Sequence, residues 1–211
     1  WSSQRNLQNT NEVLLNKLVG ELDLNIERLI YLDSLAIHDG KLNGLKAFSL
    51  RSDTAIKFIG QGLDTTKVQW LLKSSLVQGS TLNLHASVYE EMKNTGRLYS
   101  LGSDSLLAKI NRYYERLERE TFYTDDANSR LFKRWTECKY GYILLRLEYS
   151  TDGISALKNH PWLYDQNSKD YQDLKIAIHE SSRITKSNRF RMKAIIKESK
   201  LLKLELNAAL N

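Results

Sequence analysis

The C-terminal stretch constrains this chain most. Tyr171, Leu174, Ile178, Ser181, Thr185, Asn188, Met192, Ile195, Ser199, Leu202, Leu206 and Ala209 alternate steps of three and four without a break. A helix brings residues at that spacing onto one face, so the run predicts one long helix with a single seam. A seam so long has to be covered, either inside the chain or by a second copy, so a homodimer is possible. An all-β fold is disfavoured, since ten glycines and one proline in 211 residues are few for its many turns.

The same periodicity recurs upstream. Leu15, Leu18, Leu22, Asn25, Leu29, Leu32 and Ala36, with Leu14, Ile26 and Ile30 widening the stripe, predict a helix over about residues 4–37. Leu106, Ile110, Tyr113 and Leu117 line one face of another, with Ser103 or Asp104 placed to cap it. Leu131, Trp135, Cys138, Tyr142, Leu145 and Tyr149 form a further seam. Shorter helices fit Thr66 to Leu76, where Thr66 and Gln69 have capping-box spacing, and Leu84 to Asn94. Residues 45–59 also read as helical. Periodicity stops at Asp39–Gly44, Gly60-Gln61-Gly62, Gln78-Gly79-Ser80, Gly96 to Gly102, Gly153 and His160-Pro161. No alternating strand stands out. The expectation is an all-α fold: one helical domain over 1–211, an elongated antiparallel bundle with long N- and C-terminal helices and shorter helices between.

With 41% hydrophobic and 27% charged residues the chain can bury a core. No apolar run approaches the roughly 18 residues that span a bilayer. One cysteine, Cys138, excludes an internal disulfide and a thiolate metal site, and its seam position reads as a small buried hydrophobe. His38, His85, His160 and His179 lie far apart, with no Glu-x-x-His or His-Glu-x-x-His pattern, so no metal is expected. A Gly-x-Ser-x-Gly elbow and a phosphate-cradling loop are absent, and Gly60-Gln61-Gly62 lacks the further glycine and lysine. Asp125-Asp126 is the obvious carboxylate pair, and it reads as a helix connection or an N-cap. Neither catalysis nor a cofactor is expected.

Two features of the last helix are candidates for binding. From Arg183 to Lys203 there are eight basic residues and one acid, Glu198. Lys186, Arg189, Lys193, Lys197 and Lys200 share one face beside the Met192/Ile195 seam. Such a row suits phosphate oxygens, anionic lipid headgroups or an acidic protein. The plainer alternatives are a solvated face, or pairing with first-helix acids such as Glu12, Glu21 and Glu27. Only Phe190 interleaves the basic residues as an aromatic, which argues against nucleic acid. The second feature is polar: Ser181, Thr185 and Asn188 fill three consecutive seam positions, and Asn25 interrupts the first helix likewise. A polar layer can set register or line a small-ligand cavity. The plainest reading is that the helix leaves the core there.

Val88-Tyr89-Glu90-Glu91-Met92-Lys93-Asn94-Thr95-Gly96-Arg97-Leu98, followed by Leu106, Ile110 and Tyr113-Tyr114, resembles a bacterial single-pass membrane protein family of unknown function. Its members typically read Tyr-x-x-Leu-x-x-x-Gly-Lys-Leu, then a helix ending near a Tyr-Tyr pair. Trp1-Ser2-Ser3-Gln4-Arg5 resembles the Asn-Trp-Asn-x-x-Arg-like junction that follows the family's membrane helix. Met92, Arg97 and Ser2 depart conservatively from that pattern, and Gly102 more clearly. The resemblance implies placement: an N-terminal membrane helix, a basic segment held in the cytoplasm, and this domain outside, in the periplasm. It carries over no activity. The expected function is a non-enzymatic, membrane-tethered domain that senses a small ligand or holds a protein partner. The alternative is a polyanion-binding module using the basic helix.

Overall fold

The computed structural model describes residues 2–34, 36–38, 41–74, 76, 81–101 and 103–210. Trp1 and the Arg5 side chain of the expected junction, the break at 78–80 and Gly102 lie outside the described residues. The fold is all-α with one small hairpin. In chain order the elements are α1 (Ser2–Asp33), β1 (Ala36–His38), β2 (Lys41–Asn43), α2 (Leu45–Gln61), α3 (Thr65–Lys73), α4 (Ser87–Asn94), α5 (Asp104–Glu137), α6 (Leu144–Asp152) and α7 (Lys169–Leu210).

Three helices begin where a nearby side chain accepts from their orphan N–H groups. Asp64 accepts from the Lys67 amide at 2.9 Å ahead of α3, Ser103 from Leu106 at 3.3 Å ahead of α5, and Ser168 from Tyr171 at 3.3 Å at the start of α7. Asp64, rather than Thr66, is therefore the cap of α3. Positive-φ glycines follow α2 and α6: Gly62 at 84° and Gly153 at 60°, a region costly for residues with a Cβ.

The chain folds as two compact units, and α5 and α7 contribute to both. The first comprises residues 1–33, 81–123 and 190–211. Here Leu15, Leu18, Leu22, Asn25, Leu29 and Leu32 of α1 are buried, as are Ile110, Tyr113 and Leu117 of α5 and Met192, Ile195, Ser199, Leu202 and Leu206 of α7. Ile30 is exposed, so the α1 stripe is narrower than its sequence suggests. Tyr113 shares a 2.7 Å hydrogen bond with Ser199, Arg116 pairs with Glu198, and Lys109 with Glu205 at 2.8 Å. Residue numbers fall along α7 as they rise along α5, so the two run antiparallel. Asp23 of α1 meets Lys203 at 2.6 Å, which ties the N- and C-terminal helices together. The long seam of α7 is thus covered within one chain.

The second unit comprises residues 34–80 and 124–189. Its core joins Ala55 and Ile59 of α2, Val68 and Leu71 of α3, Leu131 and Trp135 of α5, Leu145 of α6, and Tyr171, Leu174 and Ile178 of α7. Two buried tyrosines finish helices: Tyr171 donates to the Ile59 carbonyl at 2.7 Å and Tyr142 to that of Leu71 at 3.1 Å, both in the last turn of their helix. A π-helical stretch, Lys139–Ile143, leads from α5 into α6. It brings Gly141 so close to α7 that an added Cβ would stand 3.0 Å from the Asp170 Cβ.

Three sequence expectations change here. Asp125 and Asp126 lie inside α5, and Asp126 pairs with Arg130 one turn on at 2.9 Å. The pair is a solvated helix surface rather than a connection or a cap. α5 is accordingly a long central helix. α1 stops at Asp33, and the chain then forms an antiparallel hairpin with Ala36 opposite Asn43 and His38 opposite Lys41. Asp39 and Gly40 between the strands lie outside the described residues.

Candidate functional site

Ser181, Thr185 and Asn188 are 1%, 2% and 2% exposed. The expectation that α7 leaves the core at this point is wrong. Ser181 accepts from the Trp135 indole N–H at 2.8 Å and donates to the Ala177 carbonyl one turn back at 2.9 Å. Trp135 opposite Ser181, and Arg134 opposite Glu180 at 3.1 Å, join α5 to α7 in this unit. Thr124 of α5, 1% exposed, is buried in the same unit. Ser49 and Ser52 of α2 are buried too, and Ser182 donates to Asp53 at 3.3 Å. The result is a buried polar layer shared by three helices.

Not every member of that layer is satisfied. The Ser52 and Thr124 hydroxyls and the Asn188 carbonyl oxygen are buried with no hydrogen-bond partner among the described residues. A buried polar group left unpaired costs about 1–3 kcal/mol, so apolar isosteres should relieve it. Asn188→Leu and Thr124→Val are each expected to raise the unfolding free energy by about 1 kcal/mol. Urea denaturation reads this directly. A loss of stability in both would mean that the layer's polar groups set the register of these helices.

The basic row divides by environment. Lys186 pairs with Asp53 of α2 at 2.7 Å, and Arg189 is half-buried. The partner of Lys186 is thus an α2 acid rather than a first-helix one. Glu21 is itself buried, and an α1 acid that does meet α7 is Asp23. Lys193, Lys197 and Lys200 are exposed and have no ion pair among the described residues. The acids on the flank of α7 are already engaged, Glu198 by Arg116 and Glu205 by Lys109. At 100° per residue, Phe190, Leu201 and Leu204 fall on the same face as the three lysines, and they are 76%, 51% and 66% exposed. Hydropathy patterning of the seam did not single them out, because they sit opposite it. The outer face of α7 in the first unit is therefore cationic and apolar at once.

The residues that carried the family resemblance also converge. Glu21, buried on α1, accepts from the Val88 amide at 2.7 Å, the Ser87 hydroxyl at 3.2 Å and the Tyr114 hydroxyl at 2.7 Å. It thereby caps α4 from another helix. One turn along, Asn25 exchanges two hydrogen bonds with the His85 backbone, at 2.8 and 2.6 Å. Tyr89 stacks on Tyr114 with ring centroids 4.1 Å apart. Tyr89, Tyr114 and Leu98 line a cleft of about 450 Å³ on α4 and α5. The sequence offered Glu21 only as a partner for the basic row, and periodicity did not reveal the cleft. The visible signal was an acid next to the seam residue Leu22.

The remaining chemical candidates are structural. Burial pushes the Cys138 thiol up to about 11, far from a reactive thiolate. His160 accepts the Trp162 indole proton on Nδ1 at 3.1 Å, so its own proton sits on Nε2, facing Glu148 at 3.1 Å. Among the described residues no group of three His, Cys, Asp or Glu side chains is placed to hold a metal ion, and no helix is long and apolar enough to cross a membrane. No family model, curated protein or solved structure matches the chain.

Proposed function

We propose that this chain is a non-enzymatic helical binding domain that works at the outer face of a membrane and docks on anionic lipid through the exposed face of α7. The observation that carries the reading is the coincidence of Lys193, Lys197 and Lys200, exposed and with no ion pair among the described residues, with exposed Phe190, Leu201 and Leu204. Basic residues bordering exposed apolar side chains on one helix face are the signature of interfacial binding. Lysines meet headgroup phosphates while the apolar side chains enter the acyl boundary. Each lysine near an anionic surface contributes about 1 kcal/mol, so three raise partitioning by roughly two orders of magnitude. The apolar residues add to this, and their share resists salt. The family resemblance supports the placement, since it implies a tether that would hold α7 near a bilayer.

Co-sedimentation with vesicles tests the reading. The chain is expected to bind phosphatidylglycerol-containing vesicles and to ignore purely zwitterionic ones. Binding should weaken as salt shortens the Debye length below about 10 Å. Indifference to headgroup charge would contradict it.

A further inference from the structure

The cleft on α4 and α5 has a chemistry of its own, unrelated to lipid docking. Its floor is the Tyr89 ring, backed on one face by Tyr114 at 4.1 Å and nearly parallel to it, at 3°. The other face of that ring is covered by Lys93 Nζ, 5.7 Å from the centroid. An aromatic face attracts cations, so the protein places one of its own ammonium groups there. Around it stand Glu90, Glu115 and Glu118, exposed and with no ion pair among the described residues. Against these three carboxylates Lys93 is the lone cationic side chain of the lining. The chain as a whole carries +6, so this wall is acidic on a basic protein. Burial raises the Tyr89 phenol pKa, and the three carboxylates raise it further, so their field converges on the ring. A cleft of about 450 Å³ falls within the size range of small-molecule sites.

We infer that this cleft is a binding site for an organic cation, an alkylammonium or guanidinium group that displaces Lys93 from the Tyr89 ring while the carboxylates neutralise it. The group would come from a free amine or from a basic side chain of a peptide. A cation gains both the ring face and the acidic wall. An uncharged molecule of equal size gains only the apolar floor, and an anion is repelled.

The experiment titrates the full chain at low salt with choline, with its uncharged carbon isostere dimethylbutanol, and with acetyl-arginine methylamide, following the Tyr89 and Tyr114 ring resonances. Choline or the arginine derivative should shift these resonances, and the isostere should bind at least about tenfold more weakly. Lys93→Gln, which removes the resident ammonium, is expected to tighten cation binding about threefold. Glu115→Gln with Glu118→Gln should weaken it about tenfold. All three positions are exposed, so the fold is expected to survive, and circular dichroism verifies it. A preference for the arginine derivative supports a peptide source, and a preference for choline a free amine. Equal binding of choline and its isostere, or cation affinity unmoved by these substitutions, overturns the inference.

Discussion

Replacing Glu21 with alanine is expected to cost about 3 kcal/mol of folding free energy, because hydrogen bonds to a buried carboxylate are among the stronger ones and all are lost together. The Glu21 carboxylate holds the first turn of α4 through the Val88 amide and the Ser87 hydroxyl, and holds α5 through the Tyr114 hydroxyl. Removing it strands buried donors on two other helices at once. Tyr114→Phe, which deletes a single donor, should cost about 1 kcal/mol. The two losses should not add, since they remove a shared bond. Glu21→Gln keeps one acceptor oxygen and is expected to fall between. Urea denaturation of the parent, Glu21→Ala, Tyr114→Phe and their double variant closes the cycle. A Glu21→Ala protein as stable as the parent would show that α4 is positioned by its packing alone. Burial, then Glu21, push the Tyr114 phenol pKa up, so it stays a donor throughout the ordinary pH range.

Reversing Lys193, Lys197 and Lys200 to glutamate should abolish binding to anionic vesicles, a loss of at least about a hundredfold if each lysine is worth about 1 kcal/mol. The thermal midpoint should hardly move, since all three are exposed and have no described ion pair. Leu201→Ser with Leu204→Ser should weaken binding less and leave the residual affinity more sensitive to salt. Lys186→Glu and Lys203→Glu are the controls. Their partners are Asp53 and Asp23, both pairs partly exposed, so each should cost about 1 kcal/mol of stability or less and change vesicle binding little. A loss from Lys186→Glu equal to that from reversing any one of Lys193, Lys197 or Lys200 would mean that net charge, rather than the α7 face, drives attachment.

The helical framework was legible in the sequence because burial follows period. From Tyr171 to Leu206 each position of the α7 seam is buried, and so are Ile110, Tyr113 and Leu117 on α5. Period says which face is covered but not what lies on either side of it. The polar layer was misjudged for that reason: Ser181, Thr185 and Asn188 read as a helix leaving its core, yet neighbouring helices bring Trp135, Ser52 and Thr124 to the same depth. The hairpin at Ala36–Asn43 escaped because three-residue strands are too short to alternate visibly. Of the basic row, sequence spacing placed Lys186 through Lys200 on one face correctly. It could not show that Asp53 engages Lys186 while Lys193, Lys197 and Lys200 keep no described ion partner. The Tyr89 cleft was out of reach altogether. It depends on Glu21, Asn25 and Arg28 of α1 holding the segment at 82–89 against α5, a pairing between stretches far apart in the chain.

The most direct test of the docking claim reports on Phe190 itself. Phe190→Cys can be labelled selectively with an environment-sensitive fluorophore, because the native Cys138 is buried and its thiol is pushed up to about 11. On anionic vesicles the label is expected to shift to the blue and to become shielded from an aqueous quencher, and on zwitterionic vesicles to do neither. A label that stays fully quenchable on vesicles to which the protein has bound would contradict the account, since the lipid would then be held by some other surface.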